Sequence, residues 1–274
     1  MIQTTIGVFD SGFGGLTVLR ALLPLIPSAR YVYLGDTARL PYGSKSRETI
    51  ARYAVSSARF LLDEGVSVLV IACNTATALA LDEIRAAAFP TPVIGVIEPG
   101  AQAAAHICLK PPQTSAQVLV LATGATVQSH AYAEALAKLG IPATEKACPL
   151  FVPLVEEGWI DHPVTREVAR IYLSEALAEN SLVNTLLLGC THYPLLRPVL
   201  EQTLIDLGHP LEIIDSAQAT AYTVAAHLQG LGQPQASPPP CTFYATDSVE
   251  KFQSLGSRFL GQPLPGVHLI DLGG

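Results

Sequence analysis

The stretch Val68-Leu69-Val70-Ile71-Ala72-Cys73-Asn74-Thr75-Ala76-Thr77 narrows the fold more than any other part of the chain. Its first five residues are all apolar, which suits a strand buried on both faces of a parallel sheet. A cysteine and small hydrogen-bonding residues follow at once, and a helical pattern then runs from Ala78 to Ala88. A strand of this kind delivers side chains to the carboxyl edge of an open α/β sheet, where ligands bind. The plan recurs later in the chain as Leu186-Leu187-Leu188-Gly189-Cys190-Thr191-His192-Tyr193. Two cysteines in matching settings suggest one site that meets its reactant from two sides.

Composition restricts the setting. With 274 residues, 49% hydrophobic and 14% charged, the chain can bury a sizeable core in one or two domains. No apolar run approaches the roughly 18 to 20 residues of a membrane span. Met1-Ile2-Gln3-Thr4-Thr5 lacks the order of a signal peptide, so a cytoplasmic protein is expected. The net charge of −7 comes without a basic cluster, and neither a nucleic-acid nor a membrane partner is expected. The five cysteines show no CxxC or CxxxH spacing, which argues for reduced thiols over disulfides or zinc.

Strand and helix patterns alternate along the chain, pointing to parallel sheets covered by helices. Ile6 to Asp10 reads as the first strand, and Ser11-Gly12-Phe13-Gly14-Gly15 as a glycine-rich turn before a helix from Leu16 to Leu25. The glycines miss the third position of GxGxxG, so a tight turn with permissive dihedrals competes with a nucleotide site. Tyr31 to Asp36 is the second strand. Its following loop, with Pro41-Tyr42-Gly43-Ser44, shares the sheet edge of Asp10 and Cys73, and backbone amides before the Ser46 helix could receive a carboxylate. Glu98-Pro99-Gly100 marks a change of direction, and Lys110 to Ser115 a crossing between lobes.

A second series begins at Gln117 and ends its first strand in Thr123-Gly124-Ala125-Thr126, before a helix from Gln128 to Leu139. Glu156-Glu157 near a helix start would ordinarily be favourable charges at its positive end. The proline-rich segment Gln233 to Pro240 reads as a surface linker. Phe243 to Asp271 would complete the first lobe's sheet. The expected domains are residues 1–98 plus 212–274 and residues 99–211.

Four roles compete for the two thiols. They can be buried small hydrophobes, a redox pair, or a cysteine nucleophile with His192 as its base. The fourth role is acid–base chemistry on opposite faces of one carbon, and it alone uses both units. Racemisation through a planar carbanion needs a base on one face and an acid on the other, with the roles exchanged after inversion. An unperturbed thiol with pKa about 8.5 is only roughly 3% thiolate at pH 7, so one sulfur needs help to ionise. Asp10 for Cys73, and His192 with Glu156 for Cys190, are the candidate partners.

Asp10 to Val18, Pro41-Tyr42-Gly43, Ala72 to Ala76 and Gly189 to Pro194 stand in an order that resembles the bacterial glutamate racemases. Thr123, Thr126 and Pro153 to Glu156 extend the likeness over most of the chain. The resemblance implies an α/β fold of two pseudo-symmetric three-layer lobes with mainly parallel sheets and the active site between them. It implies interconversion of L- and D-glutamate for peptidoglycan synthesis, no cofactor (neither pyridoxal phosphate nor a metal), and a homodimer.

By the same resemblance Cys73 and Cys190 are the acid/base thiols, with Cys73 acting on D-glutamate and Cys190 on L-glutamate. Asp10, Glu156 and His192 resemble the assisting groups. Asp10, Ser11, Asn74, Thr75, Thr123, Thr126, Thr191 and His192 resemble substrate contacts. The Pro41-Tyr42-Gly43-Ser44 loop is expected to hold the side-chain carboxylate. The alternatives are an aspartate or other amino-acid racemase of the same superfamily, or an amino-acid-binding regulator without turnover.

Overall fold

A computed structural model describes residues 4–110, 117–228 and 239–273. The chain divides into two compact units, Met1–Val96 with Thr220–Gly274, and Ile97–Ala219. The first unit begins β1 (Thr5–Asp10), α1 (Leu16–Leu25), β2 (Arg30–Gly35), α2 (Arg47–Asp63), β3 (Val68–Ile71), α3 (Asn74–Ala88) and β4 (Val93–Gly95). The second unit runs α4 (Ile97–Cys108), β5 (Val118–Ala122), α5 (Gly124–Gln128), α6 (Ala131–Ala137), β6 (Ala143–Ala147), α7 (Phe151–Glu156), α8 (Pro163–Glu179), β7 (Thr185–Gly189), α9 (Arg197–Asp206) and β8 (Glu212–Asp215). The boundary back to the first unit falls inside α10 (Ser216–His227), and β9 (Cys241–Ala245), α11 (Val249–Leu260) and β10 (Val267–Leu269) complete the described chain.

The first unit's sheet has the order β10-β9-β2-β1-β3-β4, and the second unit's β6-β5-β7-β8. Among the described residues all eight strand pairings are parallel. Four strands of the first sheet, β2-β1-β3-β4, therefore repeat the order of the second, with β3 and β7 in the same place. That repetition is the physical form of the weak echo in the sequence. Leu69, Val70, Ile71, Leu186, Leu187 and Leu188 are fully buried, as strands covered on both faces must be. Each such side chain contributes about 1.5–3 kcal/mol through removal from water.

Several local expectations change. Glu212–Asp215, assigned on sequence to the first lobe, pairs with β7 in the second unit's sheet, because its Ile213 and Ile214 extend that sheet's edge. Pro24 lies within α1, and Glu98-Pro99-Gly100 lies in the first turn of α4, where no helical N–H bond is owed. The helix expected from Gln128 to Leu139 spans only Ala131–Ala137, and a separate short helix, Gly124–Gln128, precedes it, the two parted where His130 takes the left-handed conformation (φ 55°). The Pro111–Ser115 reading and most of the Gln233–Pro240 linker lie outside the described residues.

The glycine-rich turn owes its composition to room rather than to dihedral freedom. None of Gly12, Gly14 and Gly15 has positive φ. A Cβ on Gly15 would stand 2.5 Å from the Asp10 Cβ and 2.8 Å from that of Ala72. Only glycine lets α1 start this close to the ends of β1 and β3. Among the described residues no helix is long and apolar enough to cross a membrane.

Candidate active site

Each unit builds its own cluster where adjacent parallel strands end. In the first unit Phe9 pairs with Ile71, so Asp10 and the residues after Ile71 leave the sheet side by side. Cys73 is the N-cap of α3 and only 5% exposed. Its Sγ accepts the Ala76 N–H at 3.4 Å and lies 3.5 Å from the Ser11 Oγ. A sulfur at this position faces the positive end of a 15-residue helix, a setting that favours thiolate. Asp10 is buried, and its Oδ2 accepts the Gly12 N–H at 3.0 Å. Asn74 and Thr75, the first two residues of α3, are buried beside the thiol.

The loop after β2 separates side-chain from main-chain offerings. Tyr42 is buried, and its hydroxyl donates to Asp36 Oδ2 at 2.6 Å. Pro41 and Ser44 are exposed, and Gly43 is half-buried. Ser44 Oγ donates back to the Pro41 carbonyl at 3.3 Å. The Tyr42 hydroxyl is thus engaged within the fold, which leaves the loop its main chain to offer.

In the second unit Ala122 pairs with Gly189, placing Thr123 and Cys190 on neighbouring strand ends. Cys190 is 6% exposed, and Thr191 and His192 are equally buried. His192 Nε2 lies 3.3 Å from Glu156 Oε1, and its Nδ1 lies 3.3 Å from Thr191 Oγ1. Burial alone would lower the His192 pKa, but hydrogen bonds to Cys190 and Glu156 outweigh it and push the value up to about 10. The imidazole is therefore held in its charged form beside the thiol. Glu156 is the last residue of α7 rather than a charge near a helix start. Its charge has no favourable helix end to meet, and it faces the imidazole instead.

Thr123 occupies the N-cap position of α5, yet its hydroxyl makes no capping bond. It lies 3.0 Å from the Thr126 hydroxyl, and Thr126 is fully buried. Tyr193 supports the turn after Cys190 by donating to the Cys148 carbonyl at 2.8 Å. Burial pushes the Cys148 thiol well above its ordinary pKa, which sets it apart as an inert, packed cysteine.

The sequence residues thus fall into two groups. Asp10, Ser11, Cys73, Asn74 and Thr75 meet in one unit, and Glu156, Cys190, Thr191 and His192 in the other. Three residues went unremarked on sequence grounds: Asp36, Tyr33 and Thr246. Tyr33 donates to the Gly12 carbonyl at 3.0 Å under the glycine turn, and burial followed by the charges of Asp10 and Cys73 raises its pKa. An aspartate at a strand end, one position beyond the Gly35 that pairs with Asp10, was the available signal for Asp36. Among the described residues no three His, Cys, Asp or Glu side chains converge as a metal site.

Comparison with known proteins places this architecture. A model of the Asp/Glu/hydantoin racemase family matches residues 16–224. The glutamate racemase of Koribacter versatilis is 51% identical across 99% of both chains, and that of Syntrophus aciditrophicus is 47% identical across 97% of this chain and 96% of its own. Among solved structures, the glutamate racemase of Francisella tularensis in complex with D-glutamate is similar with a TM-score of 0.87, at 36% identity over 99% of both chains. The fold is that of a cofactor-independent amino-acid racemase. The chain belongs to the Asp/Glu/hydantoin racemase family, among its glutamate racemases.

Proposed function

We propose that the chain interconverts L- and D-glutamate by two-base proton transfer, with Cys73 and Cys190 as the exchanging acid and base. Cys73 as thiolate takes the α-proton of D-glutamate, and the electron pair of the C–H bond delocalises into the α-carboxylate as a planar carbanion. The Cys190 S–H then protonates the opposite face, giving L-glutamate and a Cys190 thiolate. The reverse reaction exchanges the roles, so no atom is gained or lost. The observation that carries this reading is the equivalence of the thiols: each is buried, and each ends the same strand of a 2-1-3-4 sheet order.

In this reading Asp10 assists Cys73, while His192 and Glu156 assist Cys190. Ser11, Asn74, Thr75, Thr191, Thr123 and Thr126 receive the α-amino and α-carboxylate groups. The Pro41-Tyr42-Gly43-Ser44 loop receives the side-chain carboxylate through main-chain amides. The reaction needs neither pyridoxal phosphate nor a metal, and D-glutamate would supply peptidoglycan synthesis. A cytoplasmic homodimer is the setting we infer.

The test is loss of optical activity from L-glutamate without added cofactor, together with α-proton exchange in deuterium oxide, and the same assays with aspartate. Turnover of glutamate well above aspartate is expected. Faster exchange with aspartate rejects the substrate, and exchange with neither rejects catalysis.

A further inference from the structure

Asp36 is fully buried directly after β2 and stands outside both thiol clusters. A carboxylate is kept in such a place only where donors surround it. Three do so. The Tyr42 hydroxyl lies 2.6 Å from Oδ2, the Thr246 hydroxyl 2.9 Å from Oδ1, and the Arg39 guanidinium 3.4 Å from Oδ2. The Asp36 N–H also donates to the Asp10 carbonyl at 3.0 Å. One residue therefore joins the end of β1, the loop after β2 and the loop after β9.

The donors are themselves fixed. Thr246 Oγ1 accepts the Ala38 N–H at 2.9 Å, and the Thr37 hydroxyl donates to the Asp247 carbonyl at 2.6 Å. Arg39 lies over the Tyr53 ring, 4.6 Å from its centroid, and also donates to the Gly273 carbonyl. The Tyr42 ring packs between Phe9 and Tyr53, with centroids 6.2 Å away on each side. Burial, followed by the Asp36 charge, raises the Tyr42 pKa far above its ordinary value, so the phenol stays a donor. The Tyr42 hydroxyl is committed to Asp36.

We propose that Asp36 is a positioning residue which, through the Tyr42 hydroxyl, sets the Pro41–Ser44 loop for the substrate's side-chain carboxylate. This rests on the reading of that loop given above. A loop that binds through main-chain amides cannot adjust one group at a time. Freeing its anchor displaces all of them together, and small misplacements are costly. The thiols lie on other strand ends, so the loss falls on binding more than on proton transfer.

The experiment is steady-state kinetics with glutamate, alongside thermal unfolding, for the wild type, Asp36→Ala, Asp36→Asn, Tyr42→Phe and the double variant Asp36→Ala/Tyr42→Phe. Asp36→Ala is expected to raise KM about tenfold with kcat within about threefold, the pattern of lost uniform binding. Asp36→Asn recovers much of this, because its amide oxygen still accepts from Tyr42. The double variant matches Asp36→Ala rather than multiplying both effects, as coupled residues do.

A merely structural role would lower kcat through lost active protein and leave KM unchanged, and that result overturns the proposal. Multiplicative effects in the double variant overturn the route through Tyr42. Should Asp36→Ala not fold, unchanged KM in both Asp36→Asn and Tyr42→Phe has the same force. A wild-type protein without glutamate turnover overturns the functional reading and this inference with it, whereas wild-type turnover with unchanged KM in the variants overturns only the role of Asp36.

Discussion

The two thiol clusters share a strand position but not a chemistry. Cys73 caps a long helix, and its neighbours are a backbone N–H, a serine hydroxyl and Asp10. Cys190 is followed by the turn Thr191-His192 and a short 3-10 segment, Tyr193–Leu196, so no long helix starts at its sulfur. Its neighbour is a charged imidazole backed by Glu156. One cluster sets its sulfur at a helix N-terminus near a buried carboxylate, and the other sets its sulfur beside a cationic imidazole. The pseudo-symmetry of the fold therefore does not extend to the groups that face each sulfur.

The most drastic way to break the comparison is to remove either sulfur. A serine hydroxyl is far too weak an acid and base to replace a thiol at neutral pH. Cys73→Ser and Cys190→Ser are each expected to lower racemisation by about 10³-fold or more, within the range of general acid–base effects. Polarimetry with each enantiomer measures this. Near-wild-type turnover in either variant means that its thiol is not part of the pair.

Removing the helpers rather than the sulfurs sharpens the difference. His192→Asn removes a charge and should slow turnover about 10²-fold. Ser11→Ala removes one weak contact to Cys73 and should cost about tenfold or less. The enantiomers have equal free energy, so kcat/KM must fall equally in both directions for any variant. The asymmetry appears instead in primary deuterium isotope effects. His192→Asn is expected to raise the effect for L-glutamate, from which Cys190 is proposed to take the proton, and Ser11→Ala the effect for D-glutamate. Isotope effects that rise together for both enantiomers would show that neither helper is tied to one thiol.

Most of the scaffold was legible in the residues because buried parallel strands announce themselves as apolar runs. Val68–Ile71 and Thr185–Gly189 are strands where the pattern put them, with their cysteines just beyond. What escaped was set by contacts distant in sequence. Glu212–Asp215 has the pattern of a strand, but only its pairing with β7 says to which sheet it belongs. Glycine composition shows a turn and cannot show that Gly15 is needed because Asp10 and Ala72 crowd it. The full set of donors around Asp36 is likewise invisible, since one of the three, Thr246, lies 210 residues away in sequence. Local periodicity reports elements, while hydrogen-bond partners across loops are fixed only by packing.

The smallest expected effect separates the clusters without any assay of turnover. The His192 pKa is raised in the folded state from 6.5 to about 10. Its contribution to stability is fully present below about pH 6.5 and is lost as pH rises through about 10, because the unfolded imidazole gives up its proton first. The wild type should therefore unfold at a higher temperature than His192→Asn near pH 6, and the gap should narrow steadily toward pH 10. Ser11→Ala carries no titrating group away from the Cys73 cluster, so its unfolding temperature should run parallel to that of the wild type over the same range. A constant gap for His192→Asn would mean that the imidazole is not held charged between Glu156 and Cys190, and the contrast between a helix-capping thiol and a thiol beside a cation would fall.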